Sequence, residues 1–412
     1  MQQDGPEHQQ GEGTSEVSMQ RGAYTAAALS AYLGALLALT GVQLIAPAFP
    51  LLQESYDLSD AAAGLLTSTF LLPSIGSALA AGYLADRFGR RLIYTLSLVV
   101  YGIAAPVQLF VTTSEMFFAI RIVQGLAFGA ILPLSMIILG DVVRSRDQLR
   151  AQATRNLYMG LGDSLFPVLG GVLVALGDWR YALILQVMTL PLAWLSWKAL
   201  PSASAQRAAR GAKKPMIGRS VILSAPSIAL QLSGFLRFLF KFGLNAYLPL
   251  LLYRNDVPLS MIGIALGLAS FMTIIVNFAA TRFGQLRAPG SLNLLSLVGI
   301  GVAYLVLALS TSLPWHLVAL TLFGLFDAIL GLVQNTYLVT RFDISERSII
   351  TGWVGTSRNL GKAMAPVIMG AIIAGTDLRT TFVVIGVLSL AVAPTSWSFR
   401  TIKPQPEGSI TS

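Results

Sequence analysis

Seven ionisable side chains lie inside apolar stretches of this chain: Arg121, Asp163, Arg237, Lys241, Asp327, Arg358 and Lys362. A charge at the centre of a membrane helix costs about 2.5–3.5 kcal/mol on insertion scales, so each must face a cavity or a partner. Arg237 with Lys241, and Arg358 with Lys362, are four positions apart, so each pair shares one helix face. The chemistry of this set is reversible binding. Asp163 and Asp327 are candidate proton sites and Arg121 tunes one of them. Arg237, Lys241, Arg358 and Lys362 bind substrate or act as counter-charges, and the amides Gln43 and Asn245 are weaker candidates for contact. More cations than acids suit a solute with a carboxylate or phosphate, whereas a purely cationic one meets repulsion. Phe49, Phe166, Tyr247, Phe326 and Trp353 are the aromatic candidates for an amphiphilic lining. There is no paired metal-ligand motif, nucleophile elbow or phosphate loop.

The elements that must position these groups are membrane helices. The 412 residues are 54% hydrophobic and 11% charged, against roughly 25% charged in a soluble domain. About twelve apolar stretches are long enough to cross roughly 30 Å of hydrocarbon as helices. They are too long and too uniformly apolar for the alternating strands of a membrane barrel. The first follows a polar tail and is too long for a signal-peptide core. The chain also repeats itself: Pro50 and Pro249, Gly125 and Gly324, Gly162 and Gly361, Pro167 and Pro366, Gly171 and Gly370, and Asp178 and Asp377 are each separated by 199 positions. Such duplication is how secondary transporters are built, two halves moving about a central site.

The expected organisation is a disordered tail (1–22), a six-helix bundle (23–199), a polar linker (200–219), a second six-helix bundle (220–399) and a short tail (400–412). Basic residues, Arg87, Arg90, Arg91, Arg207 and Lys214 among them, fall on one side if both termini are cytoplasmic, as the positive-inside rule requires. That distribution explains the net charge of +9 through anionic lipid heads rather than nucleic acid. There is no cysteine and there are only two histidines, so no metal and no cofactor is expected. Lys362 occupies the repeat position of Asp163, which makes a reversible ion pair between the bundles geometrically possible.

Between the second and third stretches the chain reads Gly82-Tyr83-Leu84-Ala85-Asp86-Arg87-Phe88-Gly89-Arg90-Arg91. This resembles the signature loop of the major facilitator superfamily. The resemblance implies an all-α integral membrane fold of twelve helices in two pseudo-symmetric six-helix bundles. It also implies a latch formed by Gly82, Asp86, Arg87, Gly89, Arg90 and Asp141, with Asp86 meeting the start of the eleventh helix in one state only. Thr281 stands at the acid's place in the second half, so the latch is expected on one side.

Arg121-Ile122-Val123-Gln124-Gly125 resembles a motif of the drug-exporting branch. Gly162 to Gly171, with Pro167 and Gly170, is similar to the antiporter motif, except that Phe166 replaces a glycine. Gly41, Pro47 and Pro50 match the pattern of twelve-helix exporters, and with Pro366 complete the expected helix-bending set. These resemblances imply proton-coupled export of a small amphiphilic compound or drug by a monomer in the bacterial inner membrane, with lipids and protons as its other partners, and the surplus of cations suits an anionic or zwitterionic compound. The competing expectations are proton-coupled import of an organic anion, a lipid flippase and a non-transporting nutrient receptor.

Overall fold

The computed structural model describes residues 25–143, 147–201, 222–283, 289–342 and 344–399. The expected tails and nearly all of the linker lie outside them. The described residues form twelve helical segments and no strand. In chain order they are α1 (Thr25–Ser55), α2 (Asp60–Phe88), α3 (Arg90–Gln108), α4 (Ser114–Val142), α5 (Gln148–Val174), α6 (Tyr181–Ala199), α7 (Ala225–Tyr253), α8 (Leu259–Phe283), α9 (Pro289–Leu309), α10 (Leu313–Arg341), α11 (Ile344–Gly375) and α12 (Leu378–Ser396).

Eleven of these are long and apolar enough to cross a membrane. The other, α11, is the longest at 32 residues, and Arg358, Asn359 and Lys362 in its middle lower its hydropathy. Turn chemistry at the helix ends repeats with the sequence. Asp178 Oδ1 accepts the Arg180 amide before α6 at 2.8 Å, and Asp377 Oδ1 accepts the Thr380 amide at 2.9 Å to cap α12. The Thr380 hydroxyl and amide hold the Asp377 carboxyl below the usual carboxylate range.

Glycine decides where the helices touch. A Cβ on Gly125 would strike the Phe70 carbonyl, and one on Gly324 would strike the Ala269 carbonyl. Both members of these contacts are 199 residues apart, so α4 packs on α2 as α10 packs on α8. The seam between the bundles obeys the same rule. Gly64 of α2 abuts the Pro366 carbonyl of α11, and Gly263 of α8 abuts the Pro167 carbonyl of α5. One turn on, Ser68 meets the Ala363 carbonyl and Gly267 meets the Ser164 carbonyl. The two halves are thus related by a pseudo-twofold axis, and close approach of small residues is what holds membrane helices together.

Those seam contacts lie toward the end of the molecule that carries Asp60. There Arg254, which follows the last residue of α7, forms a two-pronged ion pair with Asp60, one prong being Nη1 to Oδ2 at 2.8 Å. Tyr247 Oη donates to the Pro366 carbonyl at 3.0 Å. At the opposite end α2 and α11 diverge: a Cβ placed on Gly82, Gly352 or Gly355 would have no neighbouring atom within 4 Å. Through α2 and α11 the bundles meet at the Asp60 end and part at the Asp86 end.

Candidate functional site

The site begins with the breakage of α1. It runs as α-helix over 25–38, tightens at Leu39–Gly41, turns, tightens again at Ala46–Ala48 and resumes as α-helix at Phe49–Ser55. Pro47 has no N–H for the carbonyl four residues back, which is that of Gln43. The break therefore puts Gln43 at the centre of the molecule with its side chain committed on both ends. Gln43 Nε2 donates to Asp163 Oδ1 of α5 at 2.8 Å, and Gln43 Oε1 accepts from Asn245 Nδ2 of α7 at 3.2 Å. A chain of three polar groups crosses from one bundle to the other.

Gln43 and Asp163 open onto a cavity of about 300 Å³ lined from both halves. Its polar wall is Gln43, Ser74, Asp163, Arg237, Lys241, Thr273, Asn359 and Lys362, and its rings are Phe128, Phe238 and Phe242. The five aromatic residues expected there lie elsewhere. Phe49, Phe166 and Tyr247 are packed in the bundle cores, Phe326 lies against Gly299, and Trp353 is exposed.

In the second bundle Arg237 grips Asp327 of α10 through Nε–Oδ1 at 2.7 Å and Nη2–Oδ2 at 3.1 Å. Lys241 Nζ stands 3.7 Å from Oδ2 of the same carboxylate. Asp327 is only 2% exposed, and a forked arginine contact is the strongest way to satisfy it. Gly331, one turn further along α10, makes room, because a Cβ there would overlap the Arg237 guanidinium. Sequence reasoning passed over Gly331, though its spacing from Asp327 puts both on one face.

Lys362 and Asp163 line the same cavity, but among the described residues no ion pair joins them. Lys362 Nζ donates to Asn359 Oδ1 at 3.2 Å and lies 4.8 Å and 5.6 Å from the ring centres of Phe238 and Phe242. Arg358 stands behind the cavity, bonded to Asn335 of α10 at 3.0 Å.

Arg121 is buried away from both acids. Its Nη1 donates to the Gly41 carbonyl at 2.9 Å and its Nη2 to the Leu66 carbonyl at 3.0 Å, with its guanidinium over the Phe70 ring. Gln124, from the same motif, accepts from Arg121 and donates to Gln186 of α6 at 2.6 Å. The guanidinium thereby ties broken α1 and α2 to α4, a backbone-bonding role. Gln186 was not anticipated, since a lone amide in an apolar run gives no direction.

Of the latch residues, Gly89 has φ +97° at the α2–α3 turn, a conformation that favours glycine. Arg90 is ion-paired with Asp141 of α4 within the first bundle. Arg87 stacks on Phe88, and Asp86 is exposed at the open end. Gly284 and Gln285 of the second-half loop lie outside the described residues.

Two pseudo-symmetric helical bundles, joined at one end and parted at the other around a charged central cavity, define a membrane carrier. The model of the Major Facilitator Superfamily matches residues 31–328 and 230–412. The chain belongs to that superfamily and is a multi-pass membrane transporter, not an enzyme. It is 25% identical over 370 residues to a gentisate transporter of Corynebacterium glutamicum, covering 83% of this chain and 80% of the relative. It is 28% identical over 116 residues to the multidrug transporter protein MdtP of Bacillus subtilis, covering 28% of this chain and 21% of the relative. The chain spans only about a fifth of the length of several relatives it matches. Its fold is similar to the solved structure of a bacterial homologue of the human lysosomal transporter spinster, with a TM-score of 0.73, 16% identity, and coverage of 94% of this chain and 99% of that one.

Proposed function

We propose that this transporter carries a small amphiphilic organic anion, coupled to protons, by rocking its two bundles about the central cavity. The observation that carries the reading is the charge balance of that cavity. Three cations, Arg237, Lys241 and Lys362, stand against Asp163 on the wall and Asp327 behind it. The surplus favours an anion, and Phe128, Phe238 and Phe242 favour an apolar body attached to it. The gentisate transporter, which aligns over most of both chains, supports an aromatic carboxylate as the first compound to test.

With both termini cytoplasmic, the open Asp86 end faces the cytoplasm and the structure is inward-open. Uptake of an anion against an inside-negative potential costs about 2.3 kcal/mol per charge per 100 mV, which a co-transported cation offsets, and this reading gives that part to a proton. Asp163 is the proton site this reading prefers, because a neutral amide holds it and the cavity reaches it. Asp327, clamped by two cations, serves as their counter-charge. The second reading is proton-coupled export, favoured by the Arg121-Gln124-Gly125 motif and by local similarity to a multidrug transporter.

Proteoliposomes under an imposed proton gradient separate the two. Labelled gentisate accumulating on the side toward which protons flow supports uptake, and accumulation on the opposite side supports export. Transport of cationic amphiphiles with no anion flux would sink the charge argument.

A further inference from the structure

Four cations cluster in the second half; two share a carboxylate, and of the other two, each held by a side-chain amide, only Lys362 lines the cavity. Arg237 and Lys241 share Asp327, and Arg358 is turned behind the cavity toward Asn335. Lys362 is different. Its ammonium carries three N–H donors, one of which meets Asn359, and among the described residues no carboxylate stands within ion-pair distance of it. The charges that reach it are those of Asp163 across the cavity, Lys241 and Arg237 on α7, and Arg358 on its own helix. Phe238 and Phe242 flank it and also line the cavity. A cation facing open space between two rings, with a carboxylate opposite, is a seat for an anionic head on an aromatic or aliphatic body.

We propose that Lys362 is the anion anchor, and that a bound carboxylate displaces Asp163 as its counter-charge, so that each anion bound brings one proton onto Asp163. Resting on the functional reading above, this adds the anchor and the stoichiometry. In the empty site Asp163 is a carboxylate facing a positive Lys362. When the substrate carboxylate pairs with Lys362, Asp163 loses that attraction and its oxygen takes a proton from the solvent, with Gln43 still within hydrogen-bond reach. The net charge of the site is the same before and after, so the loaded and empty carriers meet the membrane potential alike.

The test is titration calorimetry on the purified full chain with gentisate as the probe, in two buffers of different ionisation heat. Wild type takes up about one proton per gentisate bound. Lys362→Gln weakens binding about 10- to 100-fold, the cost of losing a charge-assisted contact, and Lys362→Arg retains most of it. Asp163→Asn binds gentisate and takes up no proton, a result that a structural role for Asp163 would not give. Should Lys362→Gln fail to fold, Lys362→Arg and the proton count of Asp163→Asn decide. Undiminished binding by folded Lys362→Gln, loss of binding by folded Lys362→Arg, or proton uptake persisting in Asp163→Asn overturns the proposal while leaving anion transport standing. Absence of anion binding to wild type overturns the functional reading itself.

Discussion

The centre of the first bundle and the centre of the second hold their acids in opposite ways. Asp163 is half-buried, receives one amide hydrogen bond and borders the cavity. Asp327 is buried, gripped at both oxygens by Arg237 and approached by Lys241. The backbones around them obey one repeat, down to the paired carbonyl contacts of Gly125 and Gly324. Duplication has kept the geometry of helix contact while the charges have diverged, so one half sets an acid on the cavity wall and the other buries one between two cations.

The largest effect should separate the two acids. Asp327→Ala leaves Arg237 and Lys241 without a counter-charge and should cost about 3–5 kcal/mol, whereas Asp163→Asn should cost no more than about 1 kcal/mol. Thermal unfolding in detergent reads the difference, and equal losses would erase the distinction. Next comes the seam. Gly64→Val pushes a side chain against the Tyr247 hydroxyl and the Pro366 carbonyl, and Gly263→Val pushes one against the Pro167 carbonyl, each an overpacking across the bundle interface worth about 1–3 kcal/mol. Both should shift the carrier toward the state closed at the Asp86 end. The chain has no cysteine, so spin labels at introduced cysteines replacing Gly82 and Gly352 report that shift as a shorter distance. A response to one substitution only would break the pseudo-twofold account.

Smaller changes sharpen the comparison. Gln43→Ala cuts the chain joining Asp163 to Asn245 and should lower proton-driven flux by about tenfold, the worth of one net hydrogen bond. Arg254→Gln removes a partly exposed ion pair worth about 0.2–1 kcal/mol, so the same spin-label distances should move by a fraction of the shift that Gly64→Val produces.

Much of this was legible in the sequence, because lipid leaves few options. Helix number follows from hydropathy, the two bundles from the interval of 199, and the charged candidates from the cost of placing them in hydrocarbon. Two of the residues that lower the hydropathy of α11, Asn359 and Lys362, line the cavity. Partnership was not legible. Four bases are within sequence reach of Asp327, and only the packing of α7 on α10 selects Arg237 and Lys241. Arg121 looked like a tuning charge because its partners, the Gly41 and Leu66 carbonyls, are backbone groups brought to it by the break in α1. Asp60 and Arg254 raised no signal, because a charge at a helix end costs little. Phe238 and Phe242 were missed among twenty phenylalanines, although their four-residue spacing next to Arg237 and Lys241 places them on one stretch of α7.

The central claim is that Asp163, not Asp327, carries the proton. Its most direct test is labelled gentisate in proteoliposomes containing Asp163→Asn, measured once under a proton gradient and once by exchange against unlabelled compound without one. The account predicts that exchange persists while gradient-driven accumulation disappears. Accumulation equal to that of wild type would contradict it.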